Sequence, residues 1–158
     1  FGLSRQLKIY PKEAKKFIDQ YFALYKKVKV YMEKTVAEAK EVGYTQTMMN
    51  RKRYLPDLKS QNRQLREAAG RVAINSPVQG SAADLIKLAM IRLAQKIRKK
   101  KLKSRMILQV HDELVFECPE EEEQEMRALV KKEMEGVVAL KVPLVVDMGW
   151  GKNWNTAH

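Results

Sequence analysis

The sequence predicts an α+β fold, mostly helical, with an antiparallel hairpin and a final strand packed against helices. Three observations carry that reading. Apolar residues recur at helical spacing over most of the chain. One segment, Met106 to Cys118, instead reads strand, bend, strand. Helices and strands interleave with no low-complexity linker or internal repeat.

Pro11-Lys12-Glu13 opens a helix, with proline in the first turn and an early acid. Phe17, Ile18, Tyr21, Phe22, Tyr25 and Val28 continue it, then Tyr31, Met32 and Val36. This gives one long or broken helical region over about residues 11–42, with Gly43 as its stop. The aromatic stripe reads as core rather than as a platform for stacked bases. Tyr44 to Met48 alternates as a short strand. Arg51-Lys52-Arg53 and Tyr54-Leu55-Pro56-Asp57 close an irregular hairpin that Pro56 ends. Three consecutive basic residues are a solvated turn or a phosphate contact with equal weight.

The next helix runs from Asn62 to Ile74, with Leu65, Ala68, Ala69 and Val72 on its apolar face. Pro77 ends or kinks it, and Asn75 or Ser76 caps the helix after it. Val78, Ala82, Leu85, Ile86, Ala89, Met90, Leu93 and Ile97 define that second amphipathic helix. From Arg92 to Arg105 there are eight basic residues and no acid, either a solvated helix end or a strip for phosphates. Lys87 and Arg92 read as solvated helix charges. Met106–Val110 and Leu114–Cys118 are the strands of a hairpin whose bend carries Asp112 and Glu113. The Glu120 to Glu123 run sits where a helix dipole favours acids and needs no metal to explain it. Met126, Leu129, Val130, Met134 and Val137 form that helix's buried face, and Val142 to Met148 reads as the last strand.

At 158 residues and 45% hydrophobic, the chain can bury a real core. The 31 basic against 19 acidic residues leave a net charge of +12, which favours a polyanion, nucleic acid before anionic membrane. Cys118 is the only cysteine, so neither an internal disulfide nor a cysteine-based zinc site can form, which fits a reducing compartment. No apolar run approaches the ~18 residues of a membrane span. The start at Phe1-Gly2-Leu3-Ser4 reads as a cut inside a larger protein.

The ordered set Asn75-Ser76-Pro77-Val78-Gln79-Gly80-Ser81-Ala82-Ala83-Asp84 and Leu108-Gln109-Val110-His111-Asp112-Glu113 resembles the C-terminal part of family A DNA polymerases, the bacterial DNA polymerase I type. Arg53-Tyr54-Leu55-Pro56-Asp57, Arg66-Glu67-Ala68-Ala69 and Val142-Pro143-Leu144 fit the same family, so the likeness covers essentially the whole chain. A lone His-Asp-Glu triplet would be weak; the ordered set is specific.

The resemblance implies a fragment of a DNA-directed DNA polymerase. Residues 1–42 would be distal fingers, and 43–158 the C-terminal palm portion with the His-Asp-Glu hairpin. Its cofactor would be Mg²⁺ in a two-metal site, completed by an aspartate this chain lacks. Asp112 matches the family's carboxylate ligand and Glu113 its acidic neighbour in the catalytic centre. His111 matches a residue near the primer terminus, and Gln79 one that reaches the minor groove. Arg71 and Asn75 match positions facing template and duplex, and Arg53 is a weaker backbone contact. The implied partners are primer–template DNA, deoxynucleoside triphosphates and the remainder of the polymerase, with no membrane. The implied setting is cytoplasmic, on the nucleoid. A second carboxylate, a basic residue and a tyrosine of the fingers are missing, so the isolated chain is expected to be inactive. A non-catalytic duplex-DNA-binding module and one half of a split polymerase are the alternatives.

Overall fold

The computed structural model describes residues 2–157; Phe1, which opens the Phe-Gly-Leu-Ser start, and His158 lie outside. Three helices lead: α1 (Gly2–Leu7), α2 (Pro11–Leu24) and α3 (Lys26–Val42). The hairpin of β1 (Tyr44–Gln46) and β2 (Lys52–Tyr54) comes next, with a 3₁₀ turn at Pro56–Lys59. Then come α4 (Arg63–Lys100), β3 (Arg105–Val110), β4 (Glu113–Glu117), a 3₁₀ turn at Glu120–Glu122, α5 (Glu123–Glu135) and the short α6 (Trp154–Ala157). The chain divides into two compact units between Val78 and Gln79, each with its own apolar cluster.

In the first unit the long helical region is indeed broken, at Tyr25. Gly43 ends α3 at φ 85, a left-handed conformation that costs glycine little, and its N–H caps the Ala39 carbonyl. β1 and β2 pair antiparallel, with Tyr44 opposite Tyr54 and their rings edge-to-face at 5.8 Å. The Thr47 hydroxyl accepts the N–H groups of Met49 and Arg51 and so holds the loop between the strands. The core gathers Ala39, Leu55, Leu58, Ala69 and Ala73, with Val36 and Val72 against it. Asn62 caps α4 through its side-chain oxygen, which accepts from Gln64 N and Leu65 N.

The aromatic stripe is not core. Phe17 (56%), Tyr21 (49%) and Tyr25 (50%) are exposed, and Ala14 is the only buried residue of α2. Tyr21 instead covers itself with Phe22 and Tyr25, at ring separations of 5.4 and 4.9 Å. Periodicity marks the apolar side of a helix; it takes a second element to cover that side, and none among the described residues does.

Pro77 does not end the helix either. α4 continues through it from Arg63 to Lys100, so Asn75 and Ser76 lie within a helix and cap nothing. An internal proline forfeits one backbone hydrogen bond. Here the helix is anchored by buried Ala69 and Ala73 before it and by Ala89, Leu93 and Ile97 after it, and that packing outweighs the local cost.

The second unit is built on Leu93, Ile97, Met126, Leu129 and Val130, with Met106, Leu114, Phe116, Cys118, Met134 and Met148 packed against them. Its predicted final strand does not form among the described residues: Val142 to Met148 has no ladder partner. Pro143 offers no N–H, and Val142 and Val145 are exposed. The segment is tied to α5 by side chains instead. Glu135 accepts from Val146 N at 3.1 Å, and Arg127 donates to the Met148 carbonyl at 3.4 Å while lying 5.7 Å from the Trp150 ring. Arg92 is likewise not a free solvated charge, since it donates to the Gly136 carbonyl at 3.2 Å. Gly149 sits so close to the Ala157 backbone that a Cβ there would clash with its carbonyl oxygen.

The entry to β3 is held by one carboxylate. Glu122 accepts from the buried Ser104 hydroxyl and from the backbone N–H groups of Lys103 and Ser104. These bonds, the Ser104 hydroxyl foremost, hold its pKa below the usual glutamate range.

These contacts set two expected outcomes. Leu93 is fully buried, so Leu93→Ala should lower the unfolding free energy by about 2–5 kcal/mol in chemical denaturation. A carboxylate with a lowered folded pKa stabilises the fold above its unfolded pKa and loses that contribution as pH falls through the folded value. Acidification should therefore narrow the stability gap between the wild type and Glu122→Gln in thermal melts run from neutral to low pH; a gap that widens on acidification would refute the role given to Glu122.

Candidate active-site hairpin and nucleic-acid-facing helix

The β3–β4 hairpin owes its register to a split between its faces. Leu114 and Phe116 alternate along β4 and pack with Met106 onto the Leu93–Leu129 cluster, which leaves Glu113, Val115 and Glu117 on the other face. Arg105 pairs with Glu117 across the open end at 2.6 Å. The register shifts between Met106 and Leu108, where Ile107 is the extra residue of a bulge. Beyond it, Gln109 faces Leu114, Val110 faces Glu113, and His111-Asp112 is left as a two-residue turn.

That turn takes positive φ at a residue other than glycine. His111 has φ 51, whereas turns of this size take positive φ most easily with glycine, asparagine or aspartate. Gln109 holds it from beneath: its Nε2 donates to the His111 carbonyl at 2.6 Å. His111 and Asp112 are exposed, and Glu113 is half-buried as the first residue of β4. The fold thus places His111 and Asp112 on the exposed turn, while Glu113, expected at the bend, is instead the first residue of β4, paired with Val110. Gln109 went unassigned in the sequence; its signal was a donor side chain two residues before a bend that needs its peptide fixed.

The other candidates lie elsewhere. Arg71 and Asn75, four apart on α4, share a face and are exposed, while Ala73 and Ser76 turn inward. Gln79 is also exposed on α4, past the division between the two units. Arg53 is exposed on β2 opposite Thr45. In the basic run, Lys100, Lys103 and Arg105 pair with Glu125, Glu121 and Glu117, while Lys96, Arg98, Lys99 and Lys101 make no ion pair among the described residues.

Asp112 and Glu113 fit part of a magnesium site by chemistry. Mg²⁺ takes hard oxygen ligands, usually one or two protein carboxylates together with phosphates. Among the described residues, no group of three or more His, Cys, Asp or Glu side chains could hold a metal alone. A metal at this turn would therefore need oxygens from outside the described residues. No helix among them is long and apolar enough to cross a membrane.

A hairpin with an acidic turn, and a long helix with exposed amide and guanidinium side chains, agree with what comparison with known proteins finds. The family model for DNA polymerase family A matches residues 1–156. DNA polymerase I of Caldicellulosiruptor bescii is 55% identical over 98% of the chain, and DNA polymerase I of Bacillus subtilis (strain 168) is 52% identical over 99%. Among solved structures, the POL domain of Pol1 from M. smegmatis, in complex with DNA primer-template and dNTP, superposes with a TM-score of 0.97. It is 50% identical over 99% of the chain. The chain belongs to DNA polymerase family A. It spans 18% of the length of those two DNA polymerase I relatives and 28% of the M. smegmatis chain.

Because Asp112 is exposed and outside both apolar clusters, Asp112→Ala should change stability by no more than about 0.5 kcal/mol in thermal melts. A large loss on melting would mean the residue is structural, not functional.

Proposed function

We propose that this chain is the part of a DNA-directed DNA polymerase that supplies one metal-binding carboxylate and the contacts to the primer terminus. The observation that carries the reading is the acidic turn: Asp112 projects, unburied, in a chain that matches family A along its whole length. Residues 1–42 then belong to the fingers and 43–158 to the palm. The partners are primer–template DNA, deoxynucleoside triphosphates and the remainder of the polymerase.

In this role Asp112 binds Mg²⁺ and Glu113 supports the site's charge. Magnesium held there would supply Lewis-acid stabilisation of the negative charge that nucleotidyl transfer develops on its oxygens. His111 contacts the primer terminus beside the turn. Gln79 donates into the minor groove near the terminal pair. Acceptors there are common to all pairs, so one donor tests pair shape without reading sequence. Arg71 and Asn75 face template and duplex, and Arg53 takes a backbone phosphate. The net charge of +12 supports binding to a polyanion along these surfaces.

The isolated chain holds one principal carboxylate of two and none of the fingers residues that bind the triphosphate. It should bind primer–template DNA with an affinity that falls steeply with salt, and it should incorporate no nucleotide. In a longer polymerase containing this segment, Asp112→Ala should lower kcat in primer extension by about a hundredfold or more. Extension by the isolated chain, in a preparation free of other polymerase, would overturn the division of labour. DNA binding with wild-type extension by the Asp112→Ala polymerase would leave only a binding module.

A further inference from the structure

We infer that Gln109 is a positioning residue for the carboxylate turn: its side-chain amide fixes the peptide between His111 and Asp112 and thereby the direction in which Asp112 is presented. The inference rests on the reading of Asp112 as a metal-binding carboxylate. It starts from two observations of the turn itself. His111 occupies positive φ without being glycine, a conformation uncommon for residues with a side chain. The Gln109 side chain donates to this turn, at 2.6 Å to the His111 carbonyl.

That carbonyl belongs to the planar peptide whose nitrogen is Asp112 N. Holding the oxygen therefore fixes the plane, and with it the two backbone rotations that aim the Asp112 side chain. The bulge at Ile107 makes this possible by putting Gln109 opposite Leu114, two residues short of the turn rather than one. Val110 and Glu113, the closing pair, constrain the strands but leave that central peptide free to rotate. Gln109 is exposed, so the bond serves no buried group and its removal opens no cavity.

The test uses the longer polymerase carrying this segment, with Gln109→Leu and the near-isosteric Gln109→Glu, neither of which donates to the carbonyl at neutral pH. Free of metal and DNA, both variants should exchange the amide hydrogens of residues 111–113 faster than wild type. In primer extension both should lower kcat by about tenfold and raise the Mg²⁺ concentration needed for half-maximal rate, with KM for the nucleotide little changed. Should Gln109→Leu fail to fold, Gln109→Glu gives the same reading. Unchanged turn exchange, or unchanged kcat and Mg²⁺ dependence, overturns the inference. A rise in DNA Kd alone also overturns it, because it marks Gln109 as a direct DNA contact. Asp112→Ala run in parallel separates the two failures: if it too extends at the wild-type rate, the polymerase reading of the turn fails, and if it alone is inactive, only the role of Gln109 does.

Discussion

Everything proposed for the acidic turn depends on how one face of a two-stranded hairpin is buried. Leu114 and Phe116 sink into the cluster formed by Leu93, Ile97, Met126, Leu129 and Val130. Slipping β4 by one residue would exchange them for Glu113, Val115 and Glu117, placing carboxylates in an apolar core at a cost of several kcal/mol. The register is fixed by that penalty, and the register decides which two residues become the turn. A pair of isolated strands would be marginal in water. Here α4 and α5 supply the apolar support, and Glu122 clamps the entrance to β3 through Ser104 and the Lys103 amide. The site is polar and exposed, yet its geometry is set by apolar packing beneath it.

The same logic explains the tail. The segment after α5 is held by Glu135 and Arg127, which meet the Val146 N–H and the Met148 carbonyl where a ladder would otherwise do so. Arg127 serves three partners at once: Glu123, the Met148 carbonyl and the Trp150 ring. The aromatic face of α2, by contrast, has no covering neighbour among the described residues.

Much of this was legible in the residues. The Gly43 stop, both hairpins and the buried face of α5 come from local chemistry: a residue tolerant of positive φ, short strand-forming runs separated by a bend, and a 3.6-residue period. The bend was legible because His111-Asp112-Glu113 interrupts two apolar runs; that Glu113 would pair with Val110 and open β4, leaving Asp112 as the turn's one carboxylate, was not. What was not legible depends on partners far away in sequence. Phe17, Tyr21 and Tyr25 show an apolar side but not what lies against it. Val142 to Met148 has strand-forming residues but no strand to pair with among the described residues. Pro77 carries a local penalty that packing on either side of it overrides. Gln109 was a lone polar side chain in an apolar strand, and neither the bulge at Ile107 nor its bond to the His111 carbonyl shows in the residues alone.

The proposed role of Asp112 is to hold a catalytic metal at this turn. Anomalous diffraction from Mn²⁺ in crystals of the longer polymerase, grown with primer–template DNA and an incoming nucleotide, would locate that metal. A manganese peak is expected within coordination distance of an Asp112 carboxylate oxygen, with the His111 carbonyl still bonded to Gln109. Manganese bound at the nucleotide phosphates with no oxygen from Asp112 would contradict it.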